Sequence, residues 1–495
     1  MYLVNRSQMR LAEELAVQEG KDWFDLMLTA GRSVAAVISH RAEVAGKTVL
    51  VLCSKGNNGG DGFVAAKALA EMGALVTVVL THGAPATDSA KKAFSLLPKE
   101  TDIINLEGLA QKLANDRPDI VIDAVFGTGF SGGEDAALSH IASVIAFSDY
   151  AVDIPSGISC DSGEVKNSVL PAKCTVTFGA LKPCHILPSS SALCGEVICT
   201  DIEISDQCFV EAGAEIKVIE KPNIPPRDKN SHKNSFGTAL SVAGSYGMPG
   251  AAVIAGRAAV RSGLGILKMA CVSENYSVCA CSLPEAVLVP CKNSPENYSV
   301  ADLTTLKAAL IGSSALLIGP GIGTAAQTGR VIEELLISSA VPTILDADGI
   351  NLAANRIELL KQVKAPLVLT PHPGEMARLL GVSPKEVEGD RINIARRFAE
   401  EYGVYLVLKG SNTLVAAPDG RMWVNLIGNA GMATAGSGDM LAGILLALLA
   451  RGLDPAVAAT SAVWLHSAAG DAAKLRLSEN AMTPSDMIEE LYRFI

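Results

Sequence analysis

At 495 residues the chain is too long for one ordinary hydrophobic core, so two or three domains are expected. Hydrophobic residues make up 49%, charged residues 19% and aromatic residues only 4%, which suits a well-buried α/β protein with a core of Ala, Val, Leu and Ile. The formal net charge of -11 argues against an extended nucleic-acid surface, and the longest apolar stretch, Met440 to Ala450, is too short to span a bilayer. The eleven cysteines contain no CxxC pair, and Cys279 and Cys281 have the wrong spacing for a zinc knuckle. They read as buried small hydrophobes of a cytoplasmic, reduced protein. Met1 to Gly20 carries Arg6, Arg10, Glu13 and Glu14 and no apolar run, so no signal peptide is expected.

The first half alternates strand and helix signals. Lys47 to Cys53 predicts a buried parallel strand, followed by a glycine-rich loop from Gly56 to Gly62 and a helix over Phe63 to Gly73. Leu75 to Leu80, Asp119 to Phe126, Ala151 to Ile154, Cys174 to Phe178 and Val197 to Ile204 are further strand candidates. Lys221 to Phe236 is polar, holds three prolines and has no apolar periodicity, which predicts a linker between domains 1–220 and 225–495. The rhythm then restarts, with strands expected at Thr238 to Ala243, Gly265 to Val272, Ala315 to Ile318, Pro342 to Leu345, Pro366 to Leu369 and Val404 to Leu408. Met440 to Arg451 predicts a helix. The halves share no obvious repeat, so the chain reads as a fusion of two different α/β folds.

In the first half, Gly56-Asn57-Asn58-Gly59-Gly60-Asp61-Gly62 sits where backbone could approach a phosphate at a helix N-terminus, or could simply form a tight turn. It is not the GxGxxG dinucleotide fingerprint. Gly127-Thr128-Gly129 and Asp153-Ile154-Pro155-Ser156-Gly157 also follow strands, and such loops converge at the carboxyl edge of a parallel sheet. Asn58, Asp123 and Ser156 could then offer hard oxygens to a cation. The alternative for Asp123 is a hydrogen bond to the backbone of the Gly56–Gly62 loop. Together NNGGDG, VIDAVFGTGFSGG, DIPSGISCDSG and TFGALKP resemble, in that order, the NAD(P)H-hydrate epimerase family across nearly all of residues 1–215. The resemblance implies a Rossmann-like three-layer domain. It implies that Asn57, Asn58, Gly59, Gly60 and Asp61, then Gly127, Thr128, Gly129, Phe130, Ser131, Gly132 and Gly133, and Asp153, bind the hydrated nicotinamide nucleotide. Asn58, Asp123 and Ser156 would hold potassium, and Asp153 is the candidate proton-handling group.

In the second half, Lys409-Gly410-Ser411-Asn412-Thr413 follows a strand, and Ala435-Gly436-Ser437-Gly438-Asp439 opens the apolar helix. A glycine-rich helix start makes an anion hole. Asp439 could take a proton from a hydroxyl attacking a phosphate there, or could merely cap its helix. SVAGSYGMPGAA, IGPGIG, LDADGIN, TPHPGEMARLL, KGSNT and NAGMATAGSGDMLAG are similar to the ADP- or ATP-dependent NAD(P)H-hydrate dehydratases of the ribokinase-like superfamily, over about residues 225–495. By that resemblance Ala252, Gly321, His372 and Asp439 contact the hydrated cofactor, with Asp439 catalytic. Lys409, Gly410, Ser411, Asn412, Thr413 and Gly438 would bind ADP or ATP, carried with magnesium. A bifunctional repair enzyme follows as an expectation, acting on hydrated NADH and NADPH, with no nucleic-acid or membrane partner and a homo-oligomeric state. A small-molecule kinase using the same Asp439 and a non-enzymatic binding module for the first half are the competing classes.

Overall fold

In the computed structural model, which describes residues 1–130, 133–165 and 167–495, the chain divides into two units, Met1–Lys217 and Val218–Ile495. The first unit holds a seven-stranded parallel sheet. Its strands run in the order Asp102–Asn105, Leu75–Leu80, Thr48–Cys53, Ile120–Ala124, Ser148–Val152, Ala172–Phe178, Glu196–Thr200. Successive side chains of a strand point to opposite faces, and both faces are covered. Val49, Val51 and Cys53 join one core cluster with Phe24, Val34, Ile38 and Phe63, whereas Leu50 and Leu52 join another with Leu109, Leu138 and Ile141. Burial on both sides explains why Thr48–Cys53 is a continuous apolar run without alternation.

The helix expected from Phe63 begins six residues earlier, spanning Asn57–Glu71. The glycines that suggested a loop are its first turns. None of Gly59, Gly60 and Gly62 has a positive φ; each is small because something else occupies the space. A Cβ on Gly59 would overlap the Ser54 carbonyl, and one on Gly60 or Gly62 would lie 2.5 Å from Met27 Cε or Ala124 Cβ.

In the second unit nine strands run in the order Met422–Val424, Leu414–Ala416, Tyr405–Leu408, Leu367–Leu369, Thr343–Leu345, Ala315–Ile318, Thr238–Val242, Ile266–Val272, Val287–Cys291. The seven from Tyr405–Leu408 to Val287–Cys291 are parallel, and the first two form an antiparallel extension. The helix Ser437–Ala450 is buried all round from Met440 onward, which is why it carries no polar stripe. It packs on the helix Pro249–Arg261 so closely that a Cβ on Gly443 would overlap the Ala255 carbonyl.

The segment Lys221–Phe236 is tied to the second unit. Ile219 just before it is buried in that unit's core and donates its N–H to the Val424 carbonyl at 2.8 Å. Arg227 donates to the Gly263 carbonyl at 2.8 Å and lies over the Phe236 ring, 4.1 Å from its centroid. Polar composition marks this stretch as a linker; most of it is exposed, and Arg227 is the side chain that ties it to the Gly263 carbonyl. All eleven cysteines are free, and all but Cys199 and Cys281 are buried. Among the described residues no helix is long and apolar enough to cross a membrane.

Candidate active sites

Thr48–Cys53 and Ile120–Ala124 are neighbours where the strand order of the first sheet reverses, so the segments leaving their carboxyl ends diverge and open a crevice. A cavity of about 500 Å³ lies there. Asn57, Asn58, Asp61, Gly127, Thr128, Gly129, Phe130 and Asp153 line it. Gly59 and Gly60 are buried beneath and do not; Gly133 is exposed outside it; Ser131 and Gly132 lie outside the described residues. The N–H groups of Asn57, Asn58 and Gly59 precede the first intrahelical bond, from Gly60 N–H to the Gly56 carbonyl at 3.1 Å, and no side chain caps them. Such an uncapped start favours an anion.

Asp153 has φ +68°, a left-handed conformation that costs a non-glycine residue about 1 kcal/mol or more. The strain turns its carboxylate onto a fixed set of donors. Oδ1 accepts from Lys182 Nζ at 2.8 Å and Thr177 Oγ1 at 2.9 Å, and Oδ2 accepts from Thr128 N–H at 3.1 Å. Burial pushes this carboxyl upward, but the Lys182 ammonium, with help from His185 and the Thr177 hydroxyl, holds it below its usual range. Lys182 is itself 1% exposed, and Asp153 keeps it charged against the same burial.

Asp123 is fully buried and does not bond the Gly56–Gly62 segment. It accepts from Ser156 N–H at 2.8 Å, Ser156 Oγ at 2.7 Å and Val125 N–H at 3.1 Å. Burial raises its carboxyl to about 6 despite those bonds, and no cationic side chain contributes. The buried Asn58 Nδ2 has no hydrogen-bond partner among the described residues. Asn58 Oδ1 and Asp153 Oδ2 both face Gly127, lying 2.7 and 2.9 Å from where a Cβ there would stand.

In the second unit a cavity of about 800 Å³ is lined by His372, Lys409, Gly410, Ser411, Thr413, Ser437, Gly438 and His466. Asn412, Ala252, Gly321 and Asp439 are not in its wall, Asp439 standing one residue beyond Gly438, which is. Ala252 is 1% exposed with its methyl against Gly244, so only its backbone could meet a ligand. Gly321 follows the strand Ala315–Ile318 with φ +56°, its Cβ position 2.9 Å from Ala251 Cβ. His372 caps the helix Pro373–Leu380, its Nδ1 accepting from Gly374 N–H at 2.9 Å, and its side chain stays half exposed.

Gly436, with φ +92°, is the N-cap of Ser437–Ala450 and no side chain caps this helix. Asp439, in the first turn, therefore does not cap its helix. Burial first, then the charges of Asp346 and other nearby carboxylates, raise Asp439 to about 6, while Lys409 pulls it down. Lys409 lies at the centre of these acids. Its Nζ is 3.1 Å from Asp346 Oδ1, 3.8 Å from Glu375 Oε2 and 3.2 Å from where a Gly438 Cβ would stand. The ammonium that was expected to serve ADP is engaged with protein carboxylates, although its side chain still lines the cavity. Ser437 Oγ is 3.0 Å from Nε2 of His466, which burial holds uncharged, its pKa lowered to about 4.

The sequence missed Glu13, Lys182, Asp346, Glu375 and His466. Lys182, Asp346 and Glu375 stand within motifs that were recognised, but nothing local marks them, because each acts on a partner brought near only by folding.

Residues 239–493 match the family model described as NAD(P)H-hydrate dehydratase, and residues 24–184 match the one described as YjeF-related protein N-terminus. The bifunctional NAD(P)H-hydrate repair enzyme Nnr of Moorella thermoacetica is 35% identical, across 99% of this chain and 96% of its own. That of Coxiella burnetii is 34% identical, across 99% and 98%. A solved ADP/ATP-dependent NAD(P)H-hydrate dehydratase from Bacillus subtilis, co-crystallised with ATP and magnesium, is 33% identical over 55% of this chain and 93% of its own, with a TM-score of 0.47.

Proposed function

This chain belongs to the bifunctional NAD(P)H-hydrate repair enzymes, and we propose from that premise how its two sites divide the work. The first unit is the NAD(P)H-hydrate epimerase and the second the ADP- or ATP-dependent NAD(P)H-hydrate dehydratase. The hydrate carries a hydroxyl on its nicotinamide-derived ring, and hydroxide is a poor leaving group. Asp439 takes the hydroxyl proton, and the oxygen attacks the terminal phosphoryl group of the nucleotide. The resulting phosphate ester then leaves as the ring nitrogen donates its electron pair, and loss of a ring proton restores the double bond. ADP is left as AMP and the oxygen departs as phosphate. The protein's part is mainly positioning and charge stabilisation.

The observation that carries this reading is the uncapped helix start at Gly436–Gly438, with an acid raised to about 6 in its first turn and unused in capping. At pH 7 such a group is mostly ionised yet basic enough to accept a proton. Lys409 holds the neighbouring Asp346 in place and moderates the repulsion on Asp439. Among the described residues no set of three or more His, Cys, Asp or Glu side chains forms a metal cage. The acids present suit magnesium that arrives on the nucleotide phosphates, where it would neutralise phosphate charge.

In the first unit the hydrate's phosphates are assigned to the N–H groups of Asn57–Gly59 and its ring to the Asp153 side of the cavity. Potassium is assigned to Asn58, Asp123 and Ser156. One feature supports it: Asp123 is a buried acid whose carboxyl burial raises with no cationic side chain against it. Neutral oxygens around one carboxylate suit a large monovalent ion better than magnesium. The ion would supply the charge that keeps Asp123 ionised and its loop fixed.

The decisive assay gives the full chain hydrated NADH with magnesium and either ADP or ATP. Regenerated NADH with one phosphate released per turnover is expected. A phosphorylated hydrate that accumulates without elimination would make the second unit a small-molecule kinase instead.

A further inference from the structure

The epimerase cavity contains an acid that the reading above leaves idle. Glu13 lies on the helix Arg6–Gln18, one turn after Met9, so both side chains share a face, and both line the cavity. The helix is fixed at its start. Val4 N–H donates to the Leu181 carbonyl at 2.8 Å and Leu181 N–H to the Tyr2 carbonyl at 3.0 Å, one residue from Lys182. Arg6 N–H donates to Asp161 Oδ1 at 2.8 Å, and Asn5 closes a capping box with Gln8. These bonds set Glu13 in a field made by groups from other elements: Lys182, Asp153, and Asp61 of the helix Asn57–Glu71. Arg10 and Glu14 act on it from its own helix.

Glu13 and Asp153, two of the acids that line the cavity, differ in what is left for chemistry. Both oxygens of Asp153 are committed to Lys182, Thr177 and Thr128, and its charge is neutralised by Lys182. Glu13 makes no hydrogen bond within the described residues and lines the cavity. Resting on the assignment of this unit as the epimerase, we propose that Glu13 is the catalytic residue that moves the proton during epimerisation, and that the Asp153–Lys182 pair is a positioning device. Glu13 takes the proton of the ring hydroxyl; the C–O bond becomes a carbonyl as the bond from that carbon to the ring nitrogen breaks, its electron pair passing to the nitrogen. Glu13 returns the proton to that nitrogen. Rotation about the adjacent carbon–carbon bond and the reverse sequence on the other carbonyl face give the second epimer, with no co-reactant and no net proton change. Burial, opposed by Lys182 and reinforced by Asp153, raises Glu13 to about 7, which suits a group that must both take and give a proton near neutrality.

The test uses the full chain and one pure epimer of hydrated NADH, with no nucleotide present. Wild type should interconvert the epimers with a rate that falls as pH drops below about 7. E13Q should lose about 100- to 10,000-fold in kcat and the acid limb with it, and E13D should recover part of both. A calorimetric transition of the first unit that matches wild type in E13Q reports that the unit holding Glu13 is folded. An E13Q enzyme within a few-fold of wild type, with the same acid limb, overturns the role of Glu13. A wild-type chain that does not interconvert the epimers overturns the epimerase assignment itself.

Discussion

Asp439 is the residue on which dehydration turns. Asp439→Asn keeps size and helix position but removes the base, so turnover should fall about 100- to 10,000-fold while nucleotide binding stays near wild type; isothermal titration and steady-state rates separate the two. The acid is raised from 3.8 to about 6, so its ionised form is lost as pH falls through that value, and dehydration should fail below about pH 6. His466, lowered to about 4, stays neutral over that window and contributes nothing to the limb. A limb that survives in a His466→Gln variant but moves in Lys409→Met would place it on the Lys409 cluster. The sequence exposed Asp439 because Gly436-Ser437-Gly438 before an apolar run is a local pattern. Glu13 stayed hidden because its signal is a meeting of the first helix with Lys182, 169 positions on, which no spacing rule encodes.

At the scale of elements, the buried strands were legible because runs such as Thr48–Cys53 and Ala315–Ile318 lack the alternation of a half-exposed sheet. The short antiparallel pair Leu414–Ala416 and Met422–Val424 was not, since three residues carry no period. The start of Asn57–Glu71 was misplaced because glycines chosen for close contact look the same as glycines chosen for a turn. Gly59→Ala separates the two meanings. A methyl there meets the Ser54 backbone, which cannot rotate away, so the first unit should lose about 1–3 kcal/mol or more. Calorimetry should show its transition at lower temperature, with dehydration of the S epimer unchanged. An unaltered transition would mean that the turn is pliable and that Gly59 serves the ligand alone.

For the whole molecule, composition suggested a cut within Lys221–Phe236, but Ile219 is a core residue of the second unit. Separate chains 1–217 and 218–495 should each fold and keep one activity, whereas a chain beginning at residue 225 should be less stable; insolubility of 218–495 would show that the units depend on each other. Potassium should act on the first unit alone. Asp123 is raised from 3.8 to about 6, so without a cation the unit loses stability as pH rises through that window. Potassium should restore it above about pH 6 and do nothing below pH 4, and equal melting in potassium and in sodium at pH 8 would remove the ion from Asp123.

The most direct measurement supplies only the R epimer of hydrated NADH to the full chain, with potassium, magnesium and ADP or ATP, and follows the return of NADH. Two cooperating sites predict complete recovery, one nucleotide consumed per NADH, and in Asp439→Asn an R/S mixture with no NADH. A wild-type chain that leaves the R epimer untouched, or one that restores NADH without consuming nucleotide, would contradict it.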